Sequence, residues 1–158
     1  MEPLPLCPQC DSPLRPWRWC LRIRRRASGE TESLHVPILR CDACGRSHRC
    51  LPDCLVPHKH FDVESIEAGL QEGMAAAVAA DETTIRRWHR WFELFSGYAE
   101  GILVALHTRG VVAEPVDRSR PLPTILHRLG PYVGDAANWL ARVIRPMLHA
   151  GYWQCFPG

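Results

Sequence analysis

The sequence has little lysine, no long apolar segment and no repetitive tract. Only one of its 19 basic side chains is a lysine, and no internal repeat or low-complexity stretch occurs. No apolar run approaches the ~18 residues needed to cross a bilayer. The first ten residues, MEPLPLCPQC, lack the basic segment and the apolar core of a signal peptide. These absences predict a cytoplasmic protein that does not bind a membrane.

The composition is typical of an ordinary folded protein. The chain has 158 residues, of which 46% are hydrophobic and 23% are charged. This length suits one domain, or a small module joined to a larger one. The reducing cytoplasm keeps cysteines as thiols unless a metal binds them. The eight cysteines therefore favour a metal site over a disulfide framework.

Four of the cysteines form two C-x2-C pairs, Cys7 with Cys10 and Cys41 with Cys44. Each pair places two thiolates on one side of a tight loop, and two such knuckles complete a closed tetrahedral zinc site. Gly45 supplies the left-handed backbone that such a knuckle often needs. The spacing predicts one structural, non-catalytic Zn²⁺ ion bound by Cys7, Cys10, Cys41 and Cys44.

The interval between the two knuckles reads as a hairpin. Residues 14–24 and 34–40 are strand-like, and the ASGE sequence at 27–30 is a turn between them. A hairpin flanked by two cysteine knuckles predicts a zinc ribbon.

A second group of metal-capable side chains, Cys50, Cys54, His58 and His60, follows the second knuckle. The prolines and apolar residues around them favour an extended connector in which the cysteines act as small buried hydrophobic residues. A second zinc site is the less favoured alternative, and we interpret His48 as a strand residue rather than a ligand. No role is predicted for Cys20, Cys50, Cys54 or Cys155.

The carboxylates are clustered along the chain rather than paired. Four acidic residues fall together at 62–72, and no second motif offers the converging carboxylates of a metal-dependent nuclease. The one close Cys–His combination is Cys54 with His58 or His60. The sequence therefore predicts a binding protein rather than an enzyme.

Helical periodicity begins after residue 60. Asp62 is a predicted N-cap, and the apolar stripe that follows it ends before Gly73. A short helix is predicted at MAAAVAA over 74–80, followed by a longer one whose apolar face carries Ile85, Trp88, Phe92 and Phe95. Three helices with a short second one predict a helix-turn-helix, and a plain helical hairpin with a solvated arginine face is the alternative.

Arginines are concentrated at two places where they would meet nucleic acid. One is the polar face of the third predicted helix, and the other is the RIRRR sequence near the hairpin tip. Net charge is +4 over residues 1–60, −4 over 61–80 and +2 over 81–158. The predicted DNA contacts are Thr84, Arg86, Arg87 and Arg90 on the helix and Arg24, Arg25 and Arg26 on the hairpin.

Two tryptophans, Trp17 and Trp19, precede the basic tip in the first predicted strand. Strict alternation places both on one face of the hairpin. We expect them to pack against the ribbon, and stacking on bases is the alternative.

The predicted fold class is α+β, with a small β zinc ribbon followed by an all-α domain. The predicted units are a zinc ribbon with its connector over 1–60, a helix-turn-helix-like unit over 61–109, and a loop with helices over 110–158. The last unit combines a proline-containing loop at 111–123 with helices at 124–130 and 135–153. Its helices either complete the core or dock a partner.

The segment RCDACGRSHRCLPDCLVPHKHFDVESIEAGL and the later TIRRW resemble a bacterial family of unknown function that is often linked to mobile elements. The residues that match are Cys41, Cys44, Gly45, Arg46, Ser47, His48, Leu51, Pro52, Leu55, Val56 and Pro57, and then Thr84, Ile85, Arg86, Arg87 and Trp88. The resemblance spans about residues 7–95. It implies a zinc ribbon joined to a helix-turn-helix that binds double-stranded DNA, as an accessory protein in transposition with a transposase as partner.

The sequence thus predicts a DNA-binding protein with a structural zinc ion, acting in regulation or transposition. The rival prediction is a zinc-ribbon adaptor that binds other proteins and never contacts DNA. Salt dependence separates the two, because binding to DNA phosphates weakens steeply as salt rises.

Overall fold

A computed structural model describes residues 5–112 and 122–156. A three-stranded antiparallel sheet lies at the N-terminus and helices follow it, which is an α+β architecture. The strands are β1 (Leu14–Arg25), β2 (Thr31–Cys41) and β3 (Ser47–Arg49). The α-helices are α1 (Val63–Leu70), α2 (Glu82–Thr108), α3 (Gly130–Val133) and α4 (Trp139–His149). Single 3₁₀ turns occupy Ala75–Ala77, Thr124–Leu126 and Tyr152–Cys155.

The predicted hairpin is present, formed by β1 and β2 along their whole lengths. Gly29 adopts φ +87° in the turn, a conformation that side chains with a Cβ rarely accept. The third strand, β3, contains His48, which the sequence interpretation placed in a strand. It pairs with β2 and places Arg49 opposite Ile38 and His48 opposite Leu39, so the chain returns beside the hairpin directly after the second knuckle.

A β-bulge between Pro16 and Arg18 changes the faces of β1. Beyond it, Arg18 pairs with Ile38 and Trp19 with Pro37, so these neighbours lie on opposite faces. The ring of Trp17 lies 4.1 Å from the Arg18 guanidinium, on the face of the sheet that carries Ile38. Trp17 and Trp19 are 41% and 66% exposed. The predicted common face was therefore wrong, because alternation cannot anticipate an extra residue in one strand. Trp17 does contact the ribbon, through Arg18 and Arg40, whereas Trp19 is mostly exposed.

Asp62 caps α1, as predicted. Its carboxylate accepts a hydrogen bond of 2.9 Å from the backbone N–H of Ser65 and also one from the Ser65 hydroxyl, which satisfies a donor that the first turn leaves free. Asp62 is 2% exposed. The helix ends at Leu70, and Gly73 then takes φ +76°.

The predicted helix over 74–80 forms only the 3₁₀ turn Ala75–Ala77, which corrects that prediction. None of its three alanines is buried, so no apolar face is available to stabilise a longer helix. The chain is already extended at Val78, and the backbone N–H of Ala79 donates to the carbonyl of Ala27 at 2.7 Å. A contact with the hairpin tip thus replaces the second α-helix of a helix-turn-helix.

Helix α2 runs from Glu82 to Thr108, with Asp81 as its N-cap. Its predicted apolar face packs into the main core, with Trp88, Phe92 and Phe95 buried and Ile85 partly buried. Gly69 of α1 lies directly against the ring of Trp88 in α2. Among the described residues, no helix combines the length and apolar character needed to cross a membrane.

The C-terminal helices cover this core. Helix α4 buries Trp139, Leu140, Val143, Ile144 and Met147. It begins at Trp139, whereas a helix was predicted from 135, and Ala137 is exposed outside it. The buried carboxylate of Glu67 explains this start, because it accepts hydrogen bonds from the backbone N–H groups of Asn138 (2.9 Å) and Leu140 (2.7 Å). The predicted helix at 124–130 is a 3₁₀ turn, and residues 113–121 of the predicted loop lie outside the described residues.

Candidate metal centre

Two backbone loops of the same design hold the cysteine pairs. The amides of Cys10 and Asp11 both donate to the carbonyl of Cys7, at 3.3 and 2.9 Å. In the second loop the amide of Gly45 donates to the carbonyl of Cys41 at 2.9 Å. The residue after each second cysteine is left-handed, with φ +55° at Asp11 and φ +72° at Gly45. Gly45 therefore has the predicted role, and Asp11 is its counterpart in the first loop.

The four sulfurs converge on one point. All four ligand atoms lie within 4.8 Å of one another, with Cys7 Sγ 3.7 Å from Cys44 Sγ and Cys10 Sγ 3.5 Å from Cys41 Sγ. Four thiolates at ~2.3 Å from a tetrahedral ion are about 3.8 Å apart. The site could thus hold one metal ion, and its donor set and spacing fit zinc.

Hydrogen bonding distinguishes the thiols. Ser12, through its backbone amide first and its side chain second, lowers the pKa of Cys10 to about 6, and the thiol of Cys41 adds to this. At Cys44 the backbone amide of Arg46 lowers the pKa, but desolvation and the neighbouring thiols outweigh it and raise the value to about 11. Closely spaced thiols do not all ionise by themselves, whereas a bound cation favours the thiolate form of each ligand.

His48 lies beside the cluster, a feature that the sequence interpretation missed. It is in β3, as a strand residue, and its Nε2 lies 3.4 Å from Cys7 Sγ. Burial, followed by the charge of Arg46, lowers the pKa of His48. A neutral imidazole can donate a hydrogen bond to a thiolate and orient it. The sequence feature that could have indicated this position is G-R-S-H, because the short turn after Cys44 brings His48 back beside the cysteine knuckle.

The second predicted group does not assemble. Within the described residues, the four cysteines are the one set of three or more metal-capable side chains whose ligand atoms come together. Cys50, Cys54, His58 and His60 do not form such a set. Cys50 is exposed and Cys54 is half-buried, so the prediction that both act as buried hydrophobic residues was wrong for Cys50.

The predicted DNA-contacting residues fall into two classes. Arg25, Arg87 and Arg90 are exposed and have no carboxylate within 4 Å in the described part of the chain. The others are engaged in local contacts. Arg24 pairs with Asp62 at 3.0 Å, Arg26 with Glu32 at 2.7 Å, Arg86 with Glu82 at 2.8 Å, and Thr84 with the cap Asp81.

A family comparison covers most of the region just described. The model of a domain of unknown function, DUF6431, matches residues 7–88, which is just over half of the chain. The chain belongs to the DUF6431 family. The DUF6431 region begins at the first metal-site cysteine and ends at Trp88 in α2, so the metal centre, the hairpin, α1 and the start of α2 form its common unit. No curated protein and no solved structure matches the chain.

Proposed function

We propose that this DUF6431 protein binds duplex DNA, with its N-terminal sheet held as a zinc ribbon by one structural Zn²⁺ ion at the four cysteines. The observation that carries the proposal is the contact between the hairpin tip and the segment that leads into α2. It brings the two basic segments of the chain to one end of the molecule.

Two separate sets of contacts join the hairpin tip to the helical part of the chain. The Ala79 amide donates to the Ala27 carbonyl, and a Cβ built on Gly29 would lie 3.2 Å from the Ala79 Cβ. Ala79 lies two residues before the N-cap of α2. On the side of the tip, the Arg25 guanidinium lies 5.1 Å from the ring of Phe61, which packs edge-on against Trp88 of α2 at 5.0 Å.

The free cations at this end suit phosphate groups. Arg25, Arg87 and Arg90 have no carboxylate within 4 Å among the described residues, so their charges are not neutralised locally. Adjacent helical residues project about 100° apart, so Arg86 and Arg87 cannot face the same groove. In this arrangement Arg25 and one helix arginine hold phosphates, while the other helix arginine reaches a base edge. Arg24, Arg26 and Thr84 serve mainly to hold the local structure.

The experiment is a fluorescence-anisotropy titration of a labelled duplex across a salt series. For Arg25→Ala we expect weaker binding to every duplex and a loss of about 0.9 from the salt slope, as for one released counterion. For the base-reading member of the pair Arg86 and Arg87, alanine should cost about 1–3 kcal/mol on a selected site and much less on random DNA. Arg128→Ala, in the C-terminal region, is the control with the same change of charge. No binding at low salt, or equal effects of all four variants, would overturn the proposal.

The cellular role in this proposal is that of a regulatory or accessory factor of a mobile element. It is supported by the resemblance of the knuckle and of TIRRW, and the C-terminal helices would dock a transposase. The protein then acts by binding and performs no catalysis.

A second candidate function is that of a protein adaptor, which one observation favours. Trp19, Leu21 and Ile23 lie on one face of β1 and are 66%, 63% and 49% exposed, an unusual run of apolar side chains on a strand. An adaptor would use this face and would show little binding to any duplex at any salt concentration. The same titration with the unaltered protein therefore separates the two candidates.

A further inference from the structure

A cleft lies between the N-terminal sheet and α4. Its volume is about 740 Å³, which is within the range of small-molecule sites. One wall is the sheet with the connector that follows it, and the opposite wall is α4 with the segment after it. Apolar side chains from both walls line it, including Ile38, Leu55, Ile144 and Leu148.

The cationic groups of the cleft come mostly from the sheet. Strand pairing places Arg18 and Arg49 on either side of Ile38, on one face of three strands. Arg22 lies on the same face, four residues further along β1. All three arginines line the cleft, so the face that carries Ile38 is strongly basic where it meets the cavity.

The cleft contains little negative charge to balance them. Its one acidic lining residue is Asp53, and this carboxylate is paired with Arg145 of α4. In the part of the chain that the structure describes, no carboxylate lies within 4 Å of Arg18, Arg22 or Arg49. Three histidines, His48, His58 and His149, also line the cleft and add hydrogen-bonding groups without negative charge.

Neutral partners position two of these arginines. The Trp17 ring lies 4.1 Å from the guanidinium of Arg18, a cation–π contact. One guanidinium nitrogen of Arg22 donates to the carbonyl of Lys59 at 3.2 Å. Both contacts restrict the side chain and leave its charge uncompensated. Arginines held in place and unneutralised at an apolar cavity are suited to bind phosphate.

We propose that this cleft binds a phosphorylated ligand of the nucleotide class, either a free nucleotide or a nucleotide of an unpaired strand. Arg18, Arg22 and Arg49 hold its phosphates, and the partly exposed apolar lining residues Leu51, Leu148 and Trp153 receive its base. The cavity is too small for a duplex. Its phosphate-binding arginines are different residues from those of the proposed duplex surface, so this proposal does not rest on duplex binding.

The test is isothermal titration calorimetry on the zinc-loaded full chain with four probes. These are ATP, inorganic pyrophosphate, a short thymidine oligonucleotide, and citrate as an anion without phosphate. The variants are Arg49→Gln alone and Arg18→Gln with Arg49→Gln. The matched control is Arg87→Gln with Arg90→Gln, which removes the same charge from the duplex surface. Zinc content and thermal unfolding identify any variant that fails to fold. If the double variant does not fold, Arg49→Gln alone still tests the proposal, because the Arg49 side chain is exposed.

We expect ATP or the oligonucleotide to bind, with the affinity falling about tenfold in Arg49→Gln, further in the double variant, and not in the control. Binding of ATP alone identifies a free nucleotide as the ligand, and binding of the oligonucleotide alone identifies an unpaired strand. Pyrophosphate should bind more weakly than the better nucleotide probe, because it lacks a base. The proposal is overturned if neither nucleotide probe binds, if citrate binds as tightly as they do, or if the control variant loses as much affinity. If the control variant loses duplex binding but still binds ATP, the result bears on the proposal of duplex binding and leaves the nucleotide site unaffected.

Discussion

The guanidinium Nε of Arg24 lies 3.0 Å from Oδ2 of Asp62, and the same carboxylate caps α1 through its other oxygen. One buried aspartate thus joins β1 to the first helix. The strand and the helix are also linked through the backbone, where the amide of Asp62 donates to the carbonyl of Arg25 at 2.9 Å.

The first prediction is that Arg24→Ala destabilises the protein by about 3 kcal/mol, because it leaves the carboxylate of Asp62 buried with its charge unpaired. Chemical denaturation of the zinc-loaded protein measures this. Arg26→Ala is the control, since it breaks an exposed pair with Glu32 and should leave the unfolding free energy close to the original value. Equal losses in the two variants would contradict the role given to Asp62.

The second prediction concerns the metal. One zinc ion per chain should be present by metal analysis, and Cys41→Ser should lose it and unfold the N-terminal sheet, since structural zinc contributes on the order of 10 kcal/mol. Cys20→Ser is the matched control and should keep its zinc. Full zinc in the Cys41 variant would place the metal elsewhere, and two ions per chain would point to the group of Cys50, Cys54, His58 and His60.

The third prediction uses two glycines in helices. A Cβ at Gly69 would lie 2.6 Å from the ring of Trp88, so Gly69→Ala should destabilise the protein by about 1–3 kcal/mol through overpacking. A Cβ at Gly101 meets nothing within 4 Å, so Gly101→Ala should stabilise it by about 0.5–1 kcal/mol through helix propensity. Thermal unfolding measures both. Two shifts of the same sign would show that the contact between α1 and α2 is not as close as described.

The fourth prediction concerns pH. Burial raises the pKa of Glu67 above its ordinary value of 4.5, although the amides of Leu140 and Asn138 lower it in part. At pH values between the ordinary pKa of the unfolded state and the raised pKa of the folded state, Glu67 keeps its proton in the folded protein but loses it in the unfolded chain. The free energy of unfolding therefore falls as pH rises through this range. As pH increases, the unfolding free energy of the original protein should therefore fall relative to that of Glu67→Gln.

Urea unfolding from about pH 5 to about pH 7 measures this trend. Glu64→Gln serves as the control, because Glu64 is an exposed carboxylate of the same helix. A difference between the original protein and Glu67→Gln that does not change with pH would contradict the prediction.

The local features of the fold were predictable from the sequence. The knuckles depend on cysteines three residues apart and on a left-handed residue after each pair, and the hairpin depends on a short turn between two strands. The Asp62 cap and the apolar face of α2 also follow from residues within a few positions of each other. Such features are decided by backbone sterics, by short hydrogen bonds and by the period of the apolar residues, all of which a sequence displays directly.

The tertiary structure decided what depends on contacts between distant residues. One extra residue in β1 separates Trp17 from Trp19 and directs Arg18 to the cleft. The carboxylate of Glu67 sets the start of α4 from 71 residues away, and the hairpin tip holds Ala79 where a helix was predicted. Pairing with β3 brings Arg49 beside Ile38 and His48 beside Cys7. Each outcome turns on the relative placement of elements, and no periodicity within one segment encodes it.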